Sequence, residues 1–187
     1  MKRRVFITRL IKGAGVATTL ASTSLIGWSQ ERAYLTLDQA LKLVFPKSEQ
    51  VFTEQKHLTD EQIKKVANLL RVQVSREQVF FRAITTNVVN GYAMIINEIG
   101  KDQYITFIVA LTPEFMVSQV ALMIFRETRG WEVQDARFSN QFKNKTSKDR
   151  LLIGADIVGI TGATLSARAF CRGTKKALVL CETVYGS

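Results

Sequence analysis

Residues 161–166 read Thr-Gly-Ala-Thr-Leu-Ser. Three hydroxyls flank a Gly-Ala pair just before a stretch with helical patterning. Gly162 tolerates backbone shapes that other residues resist, and with Ala163 it lets a bulky group come close. A helix start leaves backbone N–H groups without partners and presents the positive end of the helix dipole, which together favour a phosphate. A hydroxyl at Thr164 can therefore do one of two things. It can cap the helix, or it can carry a phosphate ester. Residue types alone leave both open.

Other side chains add candidates and close off some chemistries. Glu127 and Thr128, with Gly130 behind them, either line a ligand pocket or simply end a strand. Trp131, Phe138 and Phe142 either stack on a flat ligand or belong to the core. Lys143, Lys145, Lys148 and Arg150 form a basic run that either meets an anion or faces solvent. The single histidine, His57, falls in an expected linker. No Cys-x-x-Cys-His motif is present for haem attachment, and His57 with Cys171 and Cys181 cannot close a zinc site. No Gly-x-Ser-x-Gly elbow exists for a serine nucleophile. A helix carrying both cysteines would hold them ~15 Å apart, which precludes a disulfide between them.

The elements that must position these residues follow from local patterning. Residues 35–45 read as a short helix capped by Thr36 and followed by Pro46. Thr59 to Gln62 is a capping box that opens a second helix. After Arg76 the pattern changes to β-branched and aromatic residues. Strands are predicted over 79–89, 91–99, 103–111 and 115–125, with turns at Asn90-Gly91, Gly100-Lys101-Asp102 and Thr112-Pro113-Glu114. Such short breaks predict an antiparallel meander of four strands, and no strand–helix–strand alternation suggests a Rossmann sheet. Residues 126–150 read as part helix and part loop, 151–160 as a further strand, and 165–182 as a closing helix. The predicted class is α+β, an antiparallel sheet flanked by helices. The expected division is an export signal over 1–29, a helical segment over 30–78 and a domain over 79–187.

Charge supports this division. The chain of 187 residues has a formal charge of +10, but Lys2, Arg3, Arg4, Arg9 and Lys12 lie in the first 29 residues, which hold no acid. The rest is an ordinary basic protein, and no nucleic-acid motif accompanies it, so a nucleic-acid partner is not expected. A basic start followed by an apolar small-residue run, with Gly27 and Ser29 placed for cleavage, fits an export signal. Arg3-Arg4-Val5-Phe6 resembles a twin-arginine signal, and an uncleaved anchor is the alternative. The expected location is the periplasm or the outer face of the cytoplasmic membrane.

The segment Ile160 to Phe170 resembles the flavin attachment motif of the FMN-binding domain family, which includes the FMN-carrying subunits of the sodium-pumping NADH:quinone oxidoreductase and of the Rnf complex. Thr161, Gly162, Ala163, Thr164 and Ser166 match the motif. Glu127-Thr128-Arg129-Gly130 and Gln141-Phe142-Lys143-Asn144-Lys145 resemble two upstream elements of the family, so the similarity runs from about Gly91 to Leu180. The resemblance implies FMN joined by a phosphoester bond to Thr164 and installed from FAD by a separate flavin transferase. It places Thr161, Gly162, Ala163, Ser166, Glu127, Thr128 and Gly130 around the cofactor. It implies an electron carrier between a membrane donor and an envelope acceptor rather than a stand-alone enzyme. Val158 stands where the family has an acid, and the nearest carboxylate is Asp156. That departure keeps non-covalent FMN binding, or a non-redox binding module, as the alternative.

Overall fold

The computed structural model describes residues 31–186, so the expected export signal lies outside the described residues. The elements run β1 (Arg32–Ala33), α1 (Leu37–Val44), β2 (Gln50–His57), α2 (Asp60–Leu70), β3 (Glu77–Thr85), β4 (Val88–Ile99), β5 (Tyr104–Leu111), β6 (Val117–Phe125), α3 (Ala136–Ser139) and α4 (Thr164–Tyr185). Two 3-10 turns, Trp131–Gln134 and Asn140–Phe142, flank α3. The strands form one sheet in the order β1-β6-β5-β4-β3-β2, and every neighbouring pair is antiparallel. The α+β class and the antiparallel sheet flanked by helices are as expected.

Alternation along the central strand explains the layering. In β5, Ile105, Phe107, Val109 and Leu111 join one core, while Ile108 and Ala110 join the other. Successive strand residues point to opposite faces, so a strand buried on both sides reads as an unbroken apolar run. The first core lies under α4 and α2, where Phe107 stacks on Phe170 with ring centroids 4.2 Å apart. The second lies under α1 and takes Ala40, Val44 and Phe45. The expected cap at Thr36 and the expected capping box at Thr59 both form, and the Thr36 cap is itself a full box. Thr36 and Gln39 close the start of α1, and Thr59 and Gln62 that of α2.

Several local expectations are corrected. The sheet has six strands, not four. Residues 50–57, inside the stretch expected to be helical, form β2, and His57 ends that strand instead of lying in a linker. Alternate charged and polar residues weaken its apolar signal, and pairing with β3 supplies the order. The first hairpin turns at Thr86-Asn87, not at Asn90-Gly91. Thr86 and Asn87 both take positive φ (50° and 62°), as a two-residue hairpin loop requires. Gly91 lies within β4, where a Cβ would meet the Phe45 ring at 2.8 Å. Residues 151–160 form a loop with one isolated bridge, Ile153 to Ile157, not a strand. Asp156 takes the Leu151 and Leu152 N–H groups on its carboxylate at 2.9 and 2.8 Å. Those donors serve a side chain and cannot serve a neighbouring strand.

Candidate functional site

The Thr-Gly-Ala-Thr segment forms the turn into α4. Gly162 has φ +84°, and a Cβ there would meet nothing within 4 Å. The turn thus needs a residue free to adopt left-handed backbone, and it leaves open space beside it. Ala163 is buried and is the residue before the helix, and no side chain caps the helix start. Thr164 is the first helical residue and is exposed. Its hydroxyl makes no hydrogen bond among the described residues, so it does not act as a cap. The N–H groups of Thr164, Leu165 and Ser166 likewise have no acceptor there. Thr161 is exposed, while Ser166 is buried on the first turn.

A second segment closes the other side. Gly130 has φ +89°, and a Cβ on it would collide with Ser166 Oγ and lie 3.6 Å from Ala163 Cα. The stretch Glu127 to Gly130 therefore packs directly on the start of α4. Glu127 is buried, and its Oε1 accepts from the N–H groups of Lys101, Asp102 and Gln103 at 2.5, 2.7 and 3.0 Å. One carboxylate thereby holds the β4–β5 turn beside the helix start. Glu127 both lines the cleft and ties down the turn that carries Lys101, so the two roles weighed for it coexist.

These segments enclose a cleft of about 520 Å³ lined by Glu127, Thr128 and Arg129 on one side and residues 162–166 on the other, with Lys101 at its edge. Arg129 has no hydrogen bond or ion pair among the described residues. Among the described residues, the Lys101 ammonium pairs only with exposed Asp102, at 3.5 Å. The cleft thus joins unpaired backbone donors, two cations and a free hydroxyl, a set suited to a phosphate and its ester. Sequence reasoning missed Lys101 and Arg129. Lys101 sat in a segment noted only as a turn, and Arg129 occupied the variable place in its motif.

The remaining candidates fall elsewhere. Phe138 and Phe142 are core residues, packed edge to face at 5.4 Å. Trp131 is exposed, with the Arg32 guanidinium 5.9 Å from its ring. Lys145 is committed to Asp149 and Asp156 at 3.5 and 3.8 Å. Gln141 supports the loop before the site. Its amide accepts from Val158 N at 2.7 Å and donates to Val158 O at 3.2 Å. The Val158 side chain itself is 74% exposed, and Asp156 is spent on the loop backbone. Asp156 therefore does not stand in for a carboxylate at position 158.

Burial pushes the Asp156 carboxyl upward, but the Leu152 and Leu151 N–H bonds outweigh it and hold the group below the usual carboxylate range. Cys171 and Cys181 are buried free thiols on α4. Burial pushes Cys171 up to about 12 and raises Cys181 as well. Neither is a thiolate nucleophile near neutral pH.

Residues 100–179 match the family model of the FMN-binding domain. That span begins one residue before Lys101 and includes every residue lining the cleft. The crystal structure of NqrC from Shewanella oneidensis aligns with a TM-score of 0.54 at 14% identity, over 78% of this chain and 86% of that one. The likeness establishes the fold, an NqrC-like α+β architecture built on an antiparallel sheet. No curated protein matches the sequence.

Proposed function

We propose, with the FMN-binding-domain match over residues 100–179 and the NqrC-like fold as premises, that the chain is an exported electron carrier holding FMN through Thr164. The observation that carries this reading is the state of Thr164. Its hydroxyl is exposed and unbonded at the first residue of α4, on the rim of a cleft whose free N–H groups, Lys101 and Arg129 suit phosphate oxygens. Thr161 does not line the cleft and Ser166 is buried, so neither offers a hydroxyl so placed.

Attachment would proceed from FAD on a flavin transferase. Thr164 Oγ forms a bond to the flavin-side phosphorus, the pyrophosphate P–O bond breaks, AMP leaves, and the hydroxyl proton passes to a base on the transferase. FMN, when bound, supplies the redox chemistry. This chain's share is to seat the phosphate and shield it. Residues 162–166 offer backbone donors, Lys101 and Arg129 balance charge, and Glu127 keeps the Lys101 turn in place. Export over residues 1–29 and a redox partner at the membrane or in the envelope belong to the same proposal. Both rest on the basic-then-apolar start and on the carrier role.

A second reading has its own observation. The exposed Val158 side chain occupies the family's acidic position, and Asp156 is engaged elsewhere. If a transferase requires that carboxylate, the same cleft would hold FMN without a covalent bond. Intact mass after co-expression with a flavin transferase separates the two. Gain of one FMN that Thr164→Val abolishes and Ser166→Ala retains supports attachment. A Thr164→Val protein that keeps its covalent flavin refutes the site.

A further inference from the structure

A second cavity, of about 620 Å³, runs along α4 and shares no residue with the Thr164 cleft. Its apolar wall comes from the end of α2 and from the loop after Arg150. Leu69, Val72 and Leu152 stand 59%, 48% and 55% exposed there, a costly arrangement for aliphatic side chains unless something covers them. Its polar wall is cationic. Glu98, the one carboxylate lining it, is already shared by Arg172 at 3.4 Å and Lys176 at 3.9 Å. Lys175 is spent on the carbonyls of Ser147 and Asp149, both at 2.5 Å. Arg150 and Arg168 line the same cavity, are exposed, and have no hydrogen bond or ion pair among the described residues.

We propose that this groove docks an anionic phospholipid, its phosphate against Arg150 and Arg168 and its acyl chains along Leu69, Val72 and Leu152. Each half of the groove argues against the simpler occupants. A free inorganic anion would leave the aliphatic wall wet. A neutral apolar ligand would leave two unpaired guanidinium groups beside it. An amphiphile with a phosphate satisfies both, since guanidinium forks bind phosphate oxygens in pairs and exposed aliphatic tips bury in the acyl boundary. The cavity size falls within the range of small-ligand sites. Arg168 lies one helical turn beyond Thr164, about 6 Å along the axis. A lipid held there would set the Thr164 cleft near a membrane surface.

The test uses the full chain, made with and without a flavin transferase, and dihexanoyl-phosphatidylglycerol below its micelle concentration. Amide shift mapping should place the perturbation on residues 69–72, 150–153 and 168–176. Arg150→Glu with Arg168→Glu should weaken binding by about tenfold or more, since it replaces the two guanidinium groups that would grip the phosphate with like charges. Lys143→Glu with Lys148→Glu, neither of which lines the cavity, should leave it unchanged. Dihexanoyl-phosphatidylcholine and inorganic phosphate should each bind more weakly. Inorganic phosphate binding as tightly would make the ligand a free anion, and phosphatidylcholine binding as tightly would make the groove a bare apolar cleft. Either overturns the proposal. So does loss of the shifts in flavin-loaded protein, which would assign the groove to the flavin itself. Shifts confined to other residues, or an equal loss in the Lys143/Lys148 variant, overturn it as well. The mapping is independent of electron transfer, so its failure leaves the proposed carrier role standing.

Discussion

Gly130→Ala and Gly162→Ala form a matched pair of perturbations at the site. Both glycines have nearly the same positive φ, +89° and +84°. The backbone cost of an L side chain is therefore similar, about 1 kcal/mol for each. The difference lies in what the new Cβ meets. At Gly162 it points into open space, whereas at Gly130 it collides with Ser166 Oγ and approaches Ser166 Cβ at 3.4 Å. Ser166 is buried in the first turn of α4 and cannot swing away freely. Forcing an extra carbon into a packed contact costs about 1–3 kcal/mol. Gly130→Ala should thus be less stable than Gly162→Ala by about 2 kcal/mol, or about 4–8 °C in Tm for a chain of this length. Circular dichroism melts of the two variants measure it. Adding Ser166→Ala removes the struck oxygen and should restore roughly half of the Gly130→Ala loss, a non-additive outcome. Flavin yield should divide the other way per unit of stability lost. Gly162→Ala keeps the fold but crowds the approach to Thr164. Equal melting temperatures for the two variants, or strict additivity with Ser166→Ala, would refute the packing account of the Gly130 contact.

Glu127→Ala strips three backbone N–H groups of their acceptor and should cost about 3 kcal/mol in urea unfolding, with faster hydrogen exchange at Lys101, Asp102 and Gln103. Glu127→Gln keeps an acceptor oxygen and should cost about half as much. Both cysteines should resist a thiol reagent at pH 8 in the native protein and react once it is unfolded, because burial raises both thiols. Rapid native labelling of either would contradict that. The Asp149 carboxyl is held low by the Thr146 N–H, and that of Asp156 by the Leu152 and Leu151 N–H groups against the opposing effect of burial. Their folded values lie below the unfolded 3.8, so their stabilisation is complete above that pH and is lost as pH falls through the lower folded values. Amide exchange at Leu151 and Leu152 should stay flat from pH 8 to pH 5, after the intrinsic rate is divided out, and rise below about 3.8. A rise near neutral pH would be the wrong sign.

Much of this protein is written in local patterns. Thr36, Thr59 and their glutamines three residues on mark two helix starts because a capping box is closed within four residues. The apolar runs over 103–111 and 115–125 mark strands because burial on both faces needs no partner to be read. Thr161 to Ser166 announced a strained turn before a helix for the same reason. Tertiary structure decided the rest. The strand at 50–57 exists because β3 offers it a free edge, and its own alternation of charges says little. Asn90-Gly91 carries a turn signal, yet Gly91 is glycine because Phe45 lies across it from a distant helix. The apolar run at 151–160 became a loop because Asp156 claims the N–H groups of Leu151 and Leu152 and Gln141 that of Val158. The cleft at Thr164 was also beyond local reading. It needs Glu127, from beyond the end of β6, to grip the turn between β4 and β5 and hold Lys101 against a helix that begins more than sixty residues later. Capping and periodicity are satisfied within a few residues. A carboxylate's choice among distant donors is settled only when the sheet has formed.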